Sequence, residues 1–337
     1  MIEQIASDIV LDCVYDWLCK RRKKLSPNNE IWGFRKHWQT IKLKLQEALR
    51  SGEYQFSPQT ELRLPDGNIE YWSARDSLVL KAMAIVLGKH LSTVISPDCY
   101  HISGHGGSRQ AVKDVLQHLA IDSYVMKSDV KSYYATIDHT ILYSQLENLI
   151  DDKSVLRLLW QYMNRTVCYG ETYRDIRKGI SLGCPLSPLM GALYLKPLDD
   201  AMTRCGFMYA RFMDDWVVIA PTRWKLRKLV RLVNEILAQL KVEKHPDKTF
   251  IGKAVRGFSF LGYFLKPGNL RVASTTISNM KECIARLYEQ GACAARIGQY
   301  ILRWVQWFLG GLSGCHFLYD YPPLFLDPAA SCGTRRA

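Results

Sequence analysis

The stretch that decides the fold is Tyr209-Ala-Arg-Phe-Met-Asp-Asp-Trp-Val-Val-Ile-Ala220, in which two adjacent carboxylates lie between two apolar arms. Apolar and β-branched residues on both sides of an acidic pair predict a strand, a tight turn and a second strand. Because Asp tolerates turn conformations, we expect the hairpin to turn at Asp214 and Asp215. Two carboxylates this close repel each other unless a cation neutralises them, and their oxygen atoms suit Mg²⁺. An isolated Asp-Asp pair, in contrast, is more often an exposed acidic turn.

The composition narrows the classes of protein to which the chain can belong. Its 337 residues are 48% apolar, which is typical of a folded globular protein. The formal net charge of +13 indicates a polyanionic partner, either nucleic acid or an acidic membrane surface. The ten cysteines include no close Cys-x-x-Cys pair, so they predict reduced thiols rather than a zinc or redox motif.

The sequence shows no targeting or membrane signal. Its first residues lack the basic start and the cleavage site of a signal peptide. No apolar run approaches the ~20 residues that a helix needs to cross a bilayer. We therefore expect a cytoplasmic protein without a membrane partner.

Basic and aromatic residues alternate near both ends of the chain. Residues 1–50 read as mostly helical and contain Lys20-Arg-Arg-Lys-Lys24, and residues 276–312 read as helical again. Basic residues interleaved with aromatic ones predict phosphate contact and base stacking, whereas the alternative is a solvated helix face. The candidate nucleic-acid-binding residues are Lys23, Lys24, Arg35, Lys36, Arg303 and Trp307.

A pair of short strands is predicted on either side of Pro65-Asp66-Gly67, a strong turn signal. Arg63 and Arg75 flank this turn, so a hairpin would bring their guanidinium groups together to clamp a triphosphate. The alternative is that they are two ordinary surface arginines.

Three further segments carry candidate site residues. Ser123 to Asp129 reads as a buried strand, and an Asp at its end is costly to bury without a metal or a basic partner. Residues 141–168 read as helical. A loop punctuated by glycine and proline follows, in which Gly183 would let the backbone approach a flat ligand closely. Farther on, Phe258-Ser-Phe-Leu-Gly-Tyr263 alternates like an aromatic hairpin.

In this order the segments resemble the motifs of reverse transcriptases, specifically the bacterial branch related to group II intron enzymes. The resemblance covers about residues 55–265 and rests on Asp129 with Tyr134, Gly179-Ile-Ser-Leu-Gly-Cys-Pro-Leu-Ser-Pro188, Phe212-Met-Asp-Asp215, Lys248, and Phe258 to Tyr263. Two positions depart from the family pattern. Phe212 replaces the usual Tyr of the Asp-Asp box, and Leu182 stands where many relatives carry Gln.

The resemblance implies an α+β fold shaped like a right hand, with fingers, a palm made of an antiparallel sheet backed by helices, and a short helical thumb. The implied division is an N-terminal helical, basic-aromatic extension (1–55), fingers (56–122), a palm (123–265) with a finger-like helical insertion (about 141–178), and a helical thumb with a tail (266–337).

The resemblance also implies the roles of the site residues. Asp129, Asp214 and Asp215, with Val130, would bind two Mg²⁺ ions, with Mn²⁺ as an alternative, and the three acids would be catalytic. The residues implied to bind the nucleotide are Arg63, Arg75, Tyr134, Gly183 and Lys248, and those of the primer grip are Phe258, Leu261 and Gly262. Tyr134 would exclude ribonucleotides by clashing with their 2′-hydroxyl group.

The implied function is RNA-directed DNA synthesis from dNTPs. The chain resembles the stand-alone bacterial reverse transcriptases of uncertain or phage-defence role, which pair with a structured noncoding RNA. The resemblance would make that RNA the template and DNA the product. Two alternatives stay open from the sequence. One is a template-independent or protein-primed nucleotidyl transferase, and the other is a non-catalytic, maturase-like RNA-binding module.

Overall fold

The computed structural model describes residues 1–64 and 67–312. The predicted turn residues Pro65 and Asp66 and the chain from residue 313 onward lie outside the described residues. The helices are α1 (Ile2–Ile5), α2 (Asp8–Arg21), α3 (Glu30–Lys36), α4 (Trp38–Ser51), α5 (Ala74–Leu91), α6 (Gly107–Gln117), α7 (Tyr133–Thr136), α8 (His139–Glu147), α9 (Lys153–Met163), α10 (Ser187–Tyr194), α11 (Lys196–Cys205), α12 (Arg223–Gln239), α13 (Ser274–Glu289) and α14 (Ala294–Leu312).

The strands of the same residues form three sheets. They are β1 (Gln59–Leu64), β2 (Gly67–Tyr71), β3 (Tyr124–Asp129), β4 (Thr166–Tyr169), β5 (Thr172–Asp175), β6 (Met208–Phe212), β7 (Asp215–Ala220), β8 (Phe250–Lys253), β9 (Phe258–Phe260), β10 (Tyr263–Lys266) and β11 (Asn269–Val272). Antiparallel sheets backed by helices confirm the predicted α+β class. The domain limits expected from the sequence stay a prediction.

The palm sheet has the strand order β6-β7-β3-β8, and all its pairings are antiparallel. Its inner face is apolar because alternate residues of β3 and β7, such as Met126 and Val218, point to the same side. The amphipathic helix α12 packs there with its buried residues Leu226, Leu229 and Val233. This packing fixes the sheet whose strand ends carry the acids.

The fingers sheet has the order β2-β1-β4-β5 and corrects one expectation. The sequence predicted helix through residue 168 and a helical insertion over 141–178, but α8 and α9 are followed by a hairpin of β4 and β5. Thr and Tyr residues on both sides of Gly170, whose φ is +60°, favour strands and a turn. The hairpin joins the fingers because β4 pairs in parallel with β1, with Gln59 opposite Val167.

The thumb region combines the sheet β9-β10-β11 with helices α13 and α14. The predicted aromatic hairpin is present as β9 and β10. At its turn Leu261 and Gly262 have φ values of +48° and +88°, and positive values at both positions are what a type I′ turn requires. Helix α14 packs on this hairpin, where the Trp307 ring stacks on Tyr263 at 5.1 Å between centroids.

The N-terminal helices are part of the main core rather than a separate arm. Leu11, Val14 and Leu18 of α2 are buried against the same cluster as α5. None of the helices in residues 1–64 and 67–312 combines the length and apolarity needed to cross a bilayer.

Candidate active site

Three carboxylates meet where two central strands of the palm sheet end. Asp129 is the last residue of β3, and Asp215 is the first residue of β7 and its direct partner in the antiparallel register. Asp214 lies in the turn before β7. Asp129 and Asp215, which are 86 positions apart in the sequence, therefore become neighbours through strand pairing, as the sequence predicted.

The turn of this hairpin lies one residue earlier than the sequence predicted. Met213 and Asp214 form it, and Met213 has a φ of +59°. Asp215 is not a turn residue, because its backbone pairs with both Phe212 and Asp129. Asp214 therefore stands at the tip, whereas Asp215 is fixed within the sheet.

A buried ion pair supports the turn from below. The guanidinium group of Arg211 donates to Asp199 (Nε to Oδ1, 2.7 Å) and to the carbonyl oxygen of Met213 (2.8 Å). Both side chains of the pair are fully buried. An unpaired charge would be very costly at this depth, so the pair favours one geometry of the turn.

Two lysines lie against the acids. Nζ of the buried Lys127 is 2.9 Å from Oδ1 of Asp215. Lys248, which is about half exposed, donates from Nζ to Oδ2 of Asp129 at 2.9 Å. Lys248 thus lies beside the acids, as the resemblance implied, and its pKa is raised because of its hydrogen bond to Asp129.

Asp214 and Asp215 ionise less readily than ordinary carboxyl groups. Burial raises the pKa of Asp215 to about 6, although the ammonium group of Lys127 acts in the opposite direction. Burial also raises the pKa of Asp214, and the negative charge of Asp129 adds to this rise. The crowding of negative charge at low solvent exposure would be relieved by a bound cation.

The oxygen atoms at the strand ends are of the chemical kind that a divalent ion binds. Oδ1 of Asp215 is buried and, among the described residues, accepts no hydrogen bond of good geometry, although Lys127 is within ion-pair distance. Val130, predicted as a ligand, follows Asp129 and bridges to Lys244. The hydrogen bonds of this bridge are made by the residues on either side of Val130 and Lys244. The carbonyl oxygen of Val130 is therefore not an acceptor in the bridge. Carboxylate and carbonyl oxygens are the ligands that Mg²⁺ prefers.

The acids are not yet arranged as a finished metal centre. Within residues 1–64 and 67–312, no group of three Asp, Glu, His or Cys side chains lies in a geometry that could hold a metal ion. The contacts of Lys127 and Lys248 take up carboxylate oxygens of Asp215 and Asp129.

A cavity of about 810 Å³ opens beside the turn. Asp214 and Met213 line one end, and Tyr134 and Gly183 line its walls. The Tyr134 hydroxyl group donates to Sδ of Met213 at 3.5 Å, and burial raises the pKa of Tyr134 to about 12, so the hydroxyl stays protonated. A methyl group at Gly191 would come within 2.9 Å of the Tyr134 ring, so a side chain there would displace the ring from α10. The structure thus brings Tyr134, Gly183 and Asp214 to one cavity.

The loop over residues 179–183 is held against Tyr134 by backbone contacts. Gly179 has a φ of +83°, and a Cβ atom there would lie 2.9 Å from the carbonyl oxygen of Tyr134. The N–H group of Ile180 donates to the same carbonyl oxygen at 2.8 Å. Gly183 has a φ of +77° and open space where its Cβ would be, and the Leu182 side chain beside it is 76% exposed. The loop therefore presents bare backbone and one apolar side chain to the cavity.

The cationic residues of the cavity were missed from the sequence. Arg165, Arg174 and Lys178 line it, together with Glu70. Glu70 pairs with Arg165 at 3.3 Å and with the more exposed Arg174 at 3.4 Å. The β4–β5 hairpin was not predicted from the sequence. Had it been, Arg174 would have been a candidate, because it lies on β5 opposite Val167 of β4.

Arg165 joins the fingers sheet to the cavity loop. It is buried, and it donates to Oε1 of Gln59 on β1 at 2.6 Å and to the carbonyl oxygen of Gly179 at 3.0 Å. His139 contacts the same carbonyl oxygen through Nε2 at 2.8 Å. These bonds make one rigid network of the strand base and the loop.

The hairpin of β1 and β2 does not bring Arg63 and Arg75 together, so this expectation is wrong. Arg63 lies opposite Asn68 near the turn, where its guanidinium carbon is 3.8 Å from the centre of the Tyr169 ring. Arg75 lies beyond the hairpin in the first turn of α5 and donates to Ser57 at 3.1 Å. The two arginines lie at opposite ends of β1 because the strand separates them, and neither lines the cavity.

The residues of the implied primer grip lie on the β9–β10 hairpin. Phe258 is buried in the apolar cluster between the β9–β11 sheet and the palm sheet, and Leu261 and Gly262 form the turn. The Trp307 ring packs on this turn, so that a Cβ atom at Gly262 would lie 2.9 Å from it. Trp307, predicted to bind nucleic acid, is thus half-buried against this turn, and its contact with nucleic acid stays a prediction.

The basic candidates at the two ends of the chain lie at the surface. Lys23, Arg35 and Lys36 are exposed, and the Arg35 guanidinium group lies over the Trp32 ring. Lys24 and Arg303 line a shared groove of about 590 Å³. The fold thus brings two ends of the chain together that the sequence left unrelated.

Comparisons with known proteins agree with this geometry. The family model described as "Reverse transcriptase (RNA-dependent DNA polymerase)" matches residues 74–265. Protein YkfC of Escherichia coli strain K12 is 22% identical over 281 residues, which cover 68% of this chain and 74% of that protein. The group II intron-encoded protein LtrA of Lactococcus lactis subsp. cremoris is 20% identical over 207 residues, which cover 60% of this chain and 34% of LtrA.

Among solved structures, the chain is similar to a chain of the "Partial Cas6-RT-Cas1--Cas2 complex". The TM-score is 0.45 and the identity 18%, and the match covers 71% of this chain and 41% of that one. The chain thus spans about a third of LtrA and less than half of the Cas6-RT-Cas1 chain.

Proposed function

The chain belongs to the reverse transcriptase (RNA-dependent DNA polymerase) family, whose model matches residues 74–265 of its 337, and on this basis we propose that it synthesises DNA on an RNA template. The observation that carries the proposal is the pairing of Asp129 with Asp215 at the palm strand ends, with Asp214 lining the adjacent cavity. Phosphoryl transfer depends mainly on positioning and charge neutralisation, which converging acids beside a cavity of this size can supply.

Asp129, Asp214, Asp215 and the carbonyl oxygen of Val130 would hold the divalent ions, Mg²⁺ or Mn²⁺. When bound, such ions activate a primer 3′-hydroxyl group and neutralise the charge of a triphosphate. Lys248 would release Asp129 to the ion and then stand close enough to the leaving pyrophosphate to donate a proton to it. Lys127, buried against Asp215, would keep that carboxylate oriented.

The cavity beside the acids would hold the incoming nucleotide. Tyr134 would lie under the sugar, where its ring, fixed by Gly191 and Met213, leaves no room for a 2′-hydroxyl group. Gly183 would let the templating base pair approach the backbone. Leu182 would contact that pair through an apolar side chain rather than through the amide of a Gln.

Arg174 and Lys178 would bind the triphosphate in place of Arg63 and Arg75. Both line the cavity, and Arg174 is 59% exposed on its side chain, so only the weak surface pair with Glu70 holds it. A triphosphate offers Arg174 a stronger, bidentate partner than that carboxylate.

The primer and the partner RNA would contact the remaining candidates. Phe258, Leu261 and Gly262 would guide the primer strand, and the groove lined by Lys24 and Arg303 would contact the nucleic-acid backbone. A structured noncoding RNA as template, a role in phage defence and a cytoplasmic location stay predictions from the sequence.

The experiment is to purify the chain with the RNA that accompanies it, supply Mg²⁺ and labelled dNTPs, and sequence the product. DNA complementary to the RNA is expected. The variant Asp214→Ala should lose synthesis almost completely, because removing one ligand of a two-metal centre removes most of the charge neutralisation. Asp247→Ala, an exposed acid of the same palm, is the matched control and should keep full synthesis.

The outcomes separate the competing functions. Homopolymer product would instead identify a template-independent transferase. Tightly bound RNA without any product, in both Mg²⁺ and Mn²⁺, would identify a non-catalytic RNA-binding module. Either result would refute the proposal.

A further inference from the structure

A second groove lies on the palm, at the end of the sheet opposite the acids. It has a volume of about 510 Å³ and runs between α12 and β8, which is the edge strand of the palm sheet. Its lining is Tyr124, Arg223, Leu226, Arg227, Val230, Ile251, Gly252, Lys253 and Arg256. Tyr124 is the first residue of β3 and Asp129 the last, so the groove lies roughly 16 Å from the acids along the strand. It is therefore separate from the nucleotide cavity.

The groove is strongly basic. Arg223 and Arg227 lie on the wall formed by α12. The other wall, called the strand wall, consists of β8, which ends at Lys253, and the turn after it, which contains Arg256. No acidic residue is among the described residues that line the groove. In the part of the chain that the structure describes, none of these cations takes part in an ion pair, although lysines elsewhere on the palm do, such as Lys241 with Asp138. Four cations around one groove repel each other, and an anion would remove that repulsion.

The stability of α12 does not account for these cations. Arg223 is the first residue of the helix, and the first turn contains no acidic residue. The helix dipole disfavours positive charge at this end and favours an anion. The arrangement therefore slightly destabilises the fold when no partner is bound, and an anionic partner would remove that destabilisation.

The shape of the groove matches a nucleic-acid backbone better than a small anion. The cations of the helix wall are spaced by one turn, and those of the strand wall lie across the groove from them. Trp224 is 72% exposed beside it, with the Arg227 guanidinium group over its ring at 5.2 Å. One turn after Arg227, Arg231 adds a further exposed cation on the same side of α12.

We propose that this groove binds the phosphate backbone of a base-paired segment of an RNA partner. Base-paired RNA is recognised mainly through its phosphates and its shape, and cations on two facing walls suit two lines of phosphates. The inference rests on the proposed function in one respect, namely that the bound nucleic acid is RNA. It adds that the enzyme holds a folded part of its RNA behind the palm while another part lies at the acids.

The test compares two variants that lose the same charge. The groove variant carries Arg223→Gln, Arg227→Gln, Lys253→Gln and Arg256→Gln. The control variant carries Lys44→Gln, Lys89→Gln, Lys153→Gln and Arg204→Gln, all at exposed positions away from the groove. The probe is a fluorescent, blunt RNA hairpin of about 16 base pairs, which offers no single-stranded template.

The groove variant should bind the hairpin at least about tenfold more weakly than the wild type in low salt, and its salt slope should be smaller by about 3. The control variant should bind within about twofold of the wild type, because screening weakens distant charges. Primer extension on a pre-annealed, unstructured template should be unchanged in both.

Equal loss of hairpin binding in both variants, or no loss in the groove variant, would overturn the proposal. The proposal would also be overturned if the wild type formed a dimer in solution and the groove variant did not. The groove would then be an interface at which the β8 edge strands of two copies meet. If the fourfold groove variant unfolds, Arg227→Gln with Lys253→Gln gives the same comparison. Hairpin binding without any DNA synthesis would refute the polymerase proposal and leave this one standing.

Discussion

Asp215 is a residue whose charge opposes folding. Its carboxyl group has a pKa of about 6 in the fold, above the ordinary value of 3.8, because burial outweighs the attraction of Lys127. A raised pKa means that the folded state holds the proton more tightly than the unfolded chain does. The protein is therefore more stable when Asp215 is protonated, and that stability is lost as the pH rises through about 6.

We predict that Asp215→Asn stabilises the protein in the absence of divalent ions. At pH 8 the free energy of unfolding should rise by about 1–3 kcal/mol, because the variant no longer ionises at a buried position. The gain should shrink as the pH falls from 8 towards 4, where the wild-type carboxyl group is protonated in the fold. Urea unfolding at several pH values measures it.

Asp247→Asn is the matched control for this prediction, since Asp247 is exposed in the same palm and should give no pH-dependent gain. A loss of stability in Asp215→Asn at pH 8 would show that the Lys127 ion pair outweighs the burial cost. DNA synthesis should be lost in Asp215→Asn in either case.

Single residues of the site were predictable where the chemistry is local. A pair of acids between apolar arms and an Asp at the end of a buried strand are unusual enough in the sequence to be noticed. The position of the turn was missed by one residue, because the register that includes Asp215 in β7 depends on its pairing with Asp129. The contacts of Lys127 and Arg165 depend on side chains that meet only after folding.

At the scale of elements, the β4–β5 hairpin changes which residues we expect to bind the triphosphate. Its Arg174 lines the cavity, whereas the β1–β2 hairpin leaves Arg63 outside it. We predict that Arg174→Gln raises the KM for dNTPs about tenfold or more, since a lost charge-assisted contact to phosphate is worth about 1.5–3 kcal/mol. Steady-state primer extension with varied dNTP concentration measures the change.

Arg63→Gln is the matched control, because it removes the same single positive charge from the fingers. Its KM should stay within about twofold of the wild type, as expected for an exposed cation. If Arg63→Gln raised the KM and Arg174→Gln did not, Arg63 would bind the triphosphate as the sequence predicted, and Arg174 would not belong to the site.

The turn between β9 and β10 is the element on which the thumb rests. Both Gly262 and Gly268 have positive φ values, but only Gly262 has a neighbour, Trp307, within contact distance of a Cβ atom. We predict that Gly262→Ala lowers the free energy of unfolding by about 2–3 kcal/mol and that Gly268→Ala lowers it by about 1 kcal/mol. Both substitutions force alanine into a positive φ, but only Gly262→Ala also displaces Trp307. Urea titration of the two variants measures the difference.

Equal losses in the two variants would mean that Trp307 moves aside freely and that α14 is loosely attached. If Gly262→Ala loses more stability than Gly268→Ala does, it should also lower processivity, because we expect α14 to position the thumb beside the primer.

Elements with a clear local period were predictable, and elements that depend on distant partners were not. The strand before Asp129, the helix after the hairpin and the aromatic hairpin all follow patterns within a short window. The β4–β5 hairpin has short strands, and its place in the fingers depends on parallel pairing of Val167 with Gln59, more than a hundred positions away. No local pattern carries that information.

The whole molecule joins its fingers and its palm through hydrogen bonds as well as through apolar contacts. The order of motifs along the sequence was enough to predict the α+β fold and the meeting of the three acids. Which surfaces would be basic grooves was not predictable, because Lys24 meets Arg303 and Arg227 meets Lys253 only across separate elements.

The position of Arg165 has a consequence for how the hand opens and closes. Because this buried side chain is bonded to both the base of β1 and the loop at Gly179, the fingers sheet cannot swing as a rigid lever without breaking bonds inside the protein. If the cavity admits a nucleotide as we propose, we expect the fingers to yield by bending of the outer ends of β1 and β2, beyond the point at which Arg165 is bonded to β1.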